Sequence, residues 1–143
     1  MPLLKEHADQ IATLLNERNQ LIRPYTYQDV LEHKENYLVH ISESGKVVAC
    51  VEVKGVQWYQ AEILHLTVAA TEIRKGHAKA LLQEAERISR EKNARLLQCT
   101  IREDNVESCS LFEGFGFSSV NTFYNSRSGN NITVYQKVLS SAR

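Results

Sequence analysis

The sequence predicts one mixed α/β sheet with helices packed on it, in the order two helices, three strands, helix, strand, helix, two strands. Three observations carry that expectation. The chain opens on apolar residues at helical spacing, its middle alternates short β-branched runs with turn residues, and an apolar run at 61–69 passes through a glycine into a second helical pattern. With 143 residues there is room for one domain, taken as 1–143.

Leu4, Ala8, Ile11 and Leu15 recur at helical spacing and predict a first helix over 4–19. Pro24 cannot continue a helix interior, and Thr26 with Asp29 has the form of a capping box for a short second helix to about Lys34. Residues 37–42 and 47–56 read as a hairpin turning at Glu43–Lys46. The run 61–69 is apolar enough for a central strand buried on both faces. Leu81, Ala85 and Ile88 continue the chain as a helix ending near Asn93, and 95–101 is the next strand. Residues 108–113 suggest a helix closed by Gly114 and Gly116, with Phe115 and Phe117 as core anchors. Strands at 117–124 and 132–139, turning at 128–131, complete the order.

Seventeen basic residues balance seventeen acidic ones, so no global field recruits nucleic acid or an acidic membrane. Cys50, Cys99 and Cys109 are odd in number and lack a C-x-x-C pair, which speaks against a disulfide framework or a zinc site. Their apolar neighbours suggest buried thiols and a reducing cytoplasm. Five histidines show no metal-ligand spacing, and no apolar run is long enough to span a bilayer.

The segment A61-E-I-L-H-L-T-V-A-A-T-E-I-R-K-G-H-A-K-A-L-L82 carries the chemistry. A strand leading through Gly76 straight into a helix leaves backbone N–H groups pointing out of the helix start, where the dipole also favours an anion. Gly76 and Ala78 leave the approach open to a pyrophosphate, and Arg74, Lys75 and Lys79 add positive charge. The segment is neither a P-loop nor a G-x-G-x-x-G dinucleotide fingerprint.

It resembles the acetyl-CoA motif of the GNAT superfamily of N-acetyltransferases: Arg or Gln, two residues, Gly, one residue, then Gly or Ala. Gly76 and Ala78 match, whereas Ile73 departs from the expected Arg or Gln beside Arg74. Asn105, Leu111, Gly116 and Phe117 are similar to the late motif of the same family. The resemblance implies the GNAT fold and acetyl transfer from acetyl-CoA to a primary amine by direct attack, with no metal. The donor's contacts would fall on Leu66, Thr67, Val68, Ile73, Arg74, Lys75, Gly76, His77, Ala78, Lys79, Asn105 and Phe112. The strand amides would polarise the thioester carbonyl.

Glu62 falls on the catalytic glutamate of one branch of the family, with an exposed strand-edge carboxylate as the bland alternative. Glu52 is the second candidate base. The family's usual acid, a tyrosine, is replaced by Phe112, so either the thiolate leaves unprotonated or Tyr124 or a water serves. A thiol pKa of about 8.5 keeps unprotonated departure affordable, at about 1.4 kcal/mol near neutral pH. His65 reads as a satisfied sheet histidine, and His77 as a residue bordering phosphates or solvent. Arg18, Arg23, Tyr25 and Tyr27 surround a loop that commonly borders the acceptor in this family. The acceptor is left open between small-molecule and peptide amines, and homodimers are frequent among relatives. The rival function is a non-catalytic acyl-CoA-binding or regulatory module, which Phe112 and Ile73 favour.

Overall fold

The structure is a computed structural model, and it describes residues 5–18 and 24–139. Leu4, Asn19 and Arg23 therefore lie outside the described residues. Helices α1 (Lys5–Arg18) and α2 (Tyr27–Leu31) precede strands β1 (Tyr37–Ile41), β2 (Val47–Gln57) and β3 (Gln60–Val68). Helix α3 (His77–Glu91), strand β4 (Leu96–Arg102), helix α4 (Val106–Gly114) and strands β5 (Ser118–Asn125) and β6 (Asn130–Val138) follow. The six strands form one sheet in the order β1-β2-β3-β4-β6-β5. The expected element order and the mixed α/β class are both observed. The chain divides into two units, 1–53 with 65–85 and 54–64 with 86–143.

In the first unit, α1 buries Ala8, Ile11, Ala12, Leu14 and Leu15, the stripe that a 3.6-residue period places on one face. They join Val30, Tyr37, Val47 and Cys50 in one core, where each large aliphatic contributes roughly 1.5–3 kcal/mol. The Thr26 capping box is present: the Asp29 N–H donates to Thr26 Oγ1 at 3.4 Å and the Thr26 N–H to Asp29 Oδ2 at 2.8 Å. Helix α2 is shorter than the pattern suggested, because the chain tightens into a 3₁₀ turn at Lys34–Asn36 that feeds β1. β1 and β2 pair antiparallel with Tyr37 opposite Glu52.

The second unit pairs β3 with β4 in parallel over Gln60–Leu96, Ala61–Leu97 and Glu62–Gln98. β4 then runs antiparallel to β6, and β6 to β5. Parallel neighbours need a crossover, and α3 supplies it between β3 and β4. Ala61, Ile63, Leu97, Cys99, Ile101, Phe112, Phe117, Tyr135 and Leu139 are the buried apolar residues described in this unit. Asn105 caps α4 by accepting the Ser108 N–H at 3.2 Å.

Four expectations need correction. β3 is not buried on both faces: Ala61, Ile63 and Thr67 are buried and their neighbours are half-exposed, the alternation of a strand with one covered face. Gly114 is the last helical residue of α4, and Gly116 carries the left-handed turn at φ 98°. Phe115 is only half-buried, because it is the C-cap of α4, with Lys137 Nζ over its ring at 4.6 Å. Cys109 is half-buried and donates to the Arg102 carbonyl at 3.9 Å, whereas burial pushes the thiols of Cys50 and Cys99 up to about 12.

Candidate functional site

The junction after β3 is built in three steps, all within the first unit. A short 3₁₀ turn at Ala70–Glu72 redirects the chain, and Ile73 continues it in extended conformation. Arg74 then takes φ 65° and Gly76 φ 85°, so the backbone reverses hand twice before α3 begins at His77. A residue with a Cβ is strained there, which accounts for Gly76. Among the described residues, chain neighbours apart, no heavy atom lies within 4 Å of where a Cβ would stand on Gly76, so space opens over this turn. The first turn of α3 carries no acidic residue. Its leading N–H groups have no acceptor within the helix, and Arg74, Lys75 and Lys79 are their neighbours in sequence. That donor set fits a diphosphate: amides, helix dipole and flanking cations, with nothing over the glycine.

His77 is tied down rather than merely bordering solvent. Its Nε2 lies 3.4 Å from Glu72 Oε1 and its Nδ1 lies 2.7 Å from His40 Nδ1. Glu72 also accepts from Lys75 Nζ at 3.3 Å, and these two bonds hold its carboxyl below the ordinary range. Burial, then the neighbouring His77, lowers His40. Neither His40 nor Glu72 was flagged by sequence reasoning. His40 comes from β1, far away in the chain, and no spacing rule links it to the loop.

Along β3, Leu66, Thr67 and Val68 lead into this junction. His65 has φ 55°, a left-handed residue inside a strand, which re-aims the amides that follow it. Its carbonyl accepts from Thr67 Oγ1 at 3.0 Å and from Cys50 Sγ at 3.8 Å. Arg18 Nε donates to the Val68 carbonyl at 3.1 Å. The His65 ring meets Tyr25, with Nε2 3.0 Å from Tyr25 Oη, so it is a satisfied histidine as expected. Glu52, 5% exposed, accepts from Asn36 Nδ2 at 3.2 Å and lies 3.8 Å from His65 Nε2. Tyr27 is apart from this group, under the Lys5 ammonium at 4.6 Å.

In the second unit, Glu62 is half-buried on β3, where Gln98 Nε2 donates to its Oε1 at 3.3 Å. Burial raises its pKa, and the Gln98 bond and Lys54 partly offset the rise. Phe112 is 5% exposed and packs edge-on against Phe117 at 5.1 Å between ring centroids. Tyr124 stands on the outer strand β5 and is 65% exposed.

A model of the acetyltransferase (GNAT) family matches residues 5–117. The chain belongs to that family. GNAT acetyltransferases take the acetyl group from acetyl-CoA, and the chain is an acetyl-CoA-dependent acyltransferase of this kind. Among solved structures it is similar to the NatC complex bound to Gag peptide and CoA, at 17% identity over 96% of this chain and 93% of that one, TM-score 0.84. Ard1 from Thermoplasma volcanium is 23% identical over 98% and 97%, TM-score 0.83. The ribosomal-protein-alanine N-acetyltransferase from Brucella melitensis is 18% identical over 97% and 98%, TM-score 0.83. At such identities the likeness is one of fold. A sequence search of curated proteins finds no match. Among the described residues no helix is long and apolar enough to cross a membrane.

Proposed function

We propose that this GNAT chain acetylates a primary amine, with the α-amino group of a peptide as the acceptor class. The observation that carries the reading is the left-handed turn at Arg74–Gly76. It opens onto α3 with free space over the glycine, directly downstream of the strand that bears Glu62. In this reading the amides of residues 74–79 hold the pyrophosphate of acetyl-CoA and those of Leu66–Val68 face its thioester. Acetyl-CoA supplies an activated carbonyl, and the protein supplies position and proton transfer.

Glu62 is the base. A half-buried carboxylate with a raised pKa is a better proton acceptor than an exposed one. An α-amino group, at pKa about 7.7–8.0, asks less of it than a lysine side chain near 10.4. The full burial of Glu52 argues against direct contact with an amine. The NatC structure was solved with a peptide, and the Brucella melitensis enzyme is described as acting on a ribosomal-protein alanine. Both support a peptide as the first acceptor to try.

Phe112 favours the second reading, a CoA-binding module without turnover, because its buried ring cannot return a proton to sulfur. In the first reading the thiolate departs unprotonated, and Tyr124→Phe tests the alternative in which the exposed Tyr124 hydroxyl protonates it. The two readings part in one assay. Thiol release from acetyl-CoA is followed with N-terminally free peptides, with N-terminally blocked lysine peptides and with small polyamines. Free peptides should react fastest. Tight CoA binding with no thiol release from any amine would establish the binding module instead.

A further inference from the structure

Acetylating an ammonium removes two protons from nitrogen, one before attack and one after the new bond has formed. An acid at position 112 could return one of them to sulfur, but Phe112 has no proton to give. The thiolate then leaves as an anion, and two proton acceptors are needed where Glu62 is one. We propose that Tyr25, His65 and Glu52 form the second acceptor, with Tyr25 meeting the nitrogen, His65 taking the proton and Glu52 balancing the charge. This rests on the amine-acetylation reading above.

The geometry runs from surface to core within the first unit. Tyr25 is half-buried, the His65 side chain is 18% exposed, and that of Glu52 is 7% exposed. Tyr25 Oη lies 3.0 Å from His65 Nε2, while Glu52 Oε1 lies 3.8 Å from the same nitrogen. At 3.8 Å the carboxylate is beyond a hydrogen bond, so Nε2 is left to accept the Tyr25 hydroxyl proton. Burial lowers the affinity of His65 for a proton, and the Glu52 charge partly restores it. The ring is thus neutral and ready to accept.

Glu52 is fixed by Asn36 Nδ2 at 3.2 Å and by the Tyr37 hydroxyl, and His65 is its ionic partner among the described residues. Cys50 and Tyr37 are further titratable side chains at this end, Cys50 bonded to the His65 carbonyl, and the Arg18 guanidinium is bound to the strand at Val68. The strained φ of His65 is a further sign. A left-handed histidine in a strand is a strained residue, and its ring meets Tyr25 edge-on at 5.1 Å between ring centroids.

The step balances as follows. The nitrogen, already bonded to the carbonyl carbon, gives its surplus proton to Tyr25 Oη as Tyr25 passes its own proton to His65 Nε2. The C–S bond breaks and sulfur keeps the electron pair. The imidazolium faces the Glu52 carboxylate until solvent takes its proton, and the thiolate is protonated from water.

The test uses the full chain, the fastest peptide of the thiol-release panel, and NMR of the histidine ring protons. Tyr25→Phe removes the hydroxyl, and His65→Asn keeps a residue that tolerates the left-handed backbone. Each should lower kcat by about a hundredfold with CoA affinity unchanged. The double variant should be no slower than the slower single one, because the two act as a unit. The loss should ease as pH rises and hydroxide takes over. Glu52→Gln should lower the pH at which the His65 ring titrates, a readout that needs no acceptor. Wild-type kcat and pH profile in Tyr25→Phe, or a His65 midpoint unmoved by Glu52→Gln, would overturn the relay. Failure of wild-type protein to release thiol with any amine overturns the acetylation reading instead, and the relay falls with it.

Discussion

Glu62 shows how one side chain couples catalysis to stability. Burial raises its pKa in the folded chain, against the pull of Gln98 and Lys54. The folded state therefore holds this proton more tightly than the unfolded chain does. That contribution is fully present below the unfolded pKa and is lost as pH rises through the raised folded value. At neutral pH the ionised carboxylate opposes folding slightly. Glu62→Gln should accordingly be no less stable than wild type at pH 7, and relatively less favoured in acid. Catalysis should move the other way, with turnover falling about a hundredfold. The loss should be smaller for α-amines than for lysine amines and should shrink as pH approaches the pKa of the acceptor. Melting curves and pH–rate profiles check both halves, and full activity on a lysine amine at neutral pH would remove Glu62 as the base. At this scale the sequence was informative where a motif fixed the backbone, as at the Gly76 turn that opens α3. It was silent on Glu72 and His40, whose partners come from other elements, and it could not show that Tyr25, His65 and Glu52 converge.

At the scale of elements, the turn between β3 and α3 is shaped by its own left-handed residues and clasped by β1. A carboxylate can only accept, so His77 Nε2 carries the proton shared with Glu72. His77 Nδ1 is then bare and accepts from His40 Nδ1–H at 2.7 Å. Because the clasp orients the turn whose amides are proposed to hold the pyrophosphate, His40→Ala or Glu72→Gln should weaken CoA binding severalfold at neutral pH. Calorimetric titration of CoA decides this, and equal affinity in wild type and variants would show that the turn stands unaided. Most element boundaries were legible because caps and turn residues announce them, as Thr26 with Asp29 and Gly45 do, whereas the Asn105 cap went unread and α4 begins two residues before the expected Ser108. The errors fell where tertiary packing overrides a local signal. The β3 run is apolar, yet its alternate residues are half-exposed. Gly114 suited a helix stop, yet the left-handed turn was set two residues later.

For the whole molecule, the chain order of helices and strands was readable, because periodicity alternates clearly between 3.6 and 2 along the sequence. The order of strands in the sheet was not, since pairing β4 with β6 and placing β5 outermost depends on contacts remote in sequence. The same separation of local and global effects governs the test of donor binding. A ligand that binds only the folded chain stabilises it by RT ln(1 + [L]/Kd), about 2.7 kcal/mol at a hundredfold excess over Kd. CoA should therefore raise the melting temperature of wild type by several degrees. Gly76→Val should lose that shift, because its side chain enters the space where the pyrophosphate is proposed to sit. It also strains a backbone at φ 85°, so destabilisation alone could mimic lost binding. Gly129, in the turn between β5 and β6, separates the two effects. It has φ 73° and, chain neighbours apart, no heavy atom within 4 Å of its Cβ position. Gly129→Val should therefore carry a comparable strain, about 1–2 kcal/mol, with no ligand beside it. Both variants should melt below wild type without CoA. With CoA, Gly129→Val should recover the wild-type shift and Gly76→Val should show none. A full shift in Gly76→Val would move the pyrophosphate away from the start of α3, and an absent shift in both would mean that strain alone accounts for the loss.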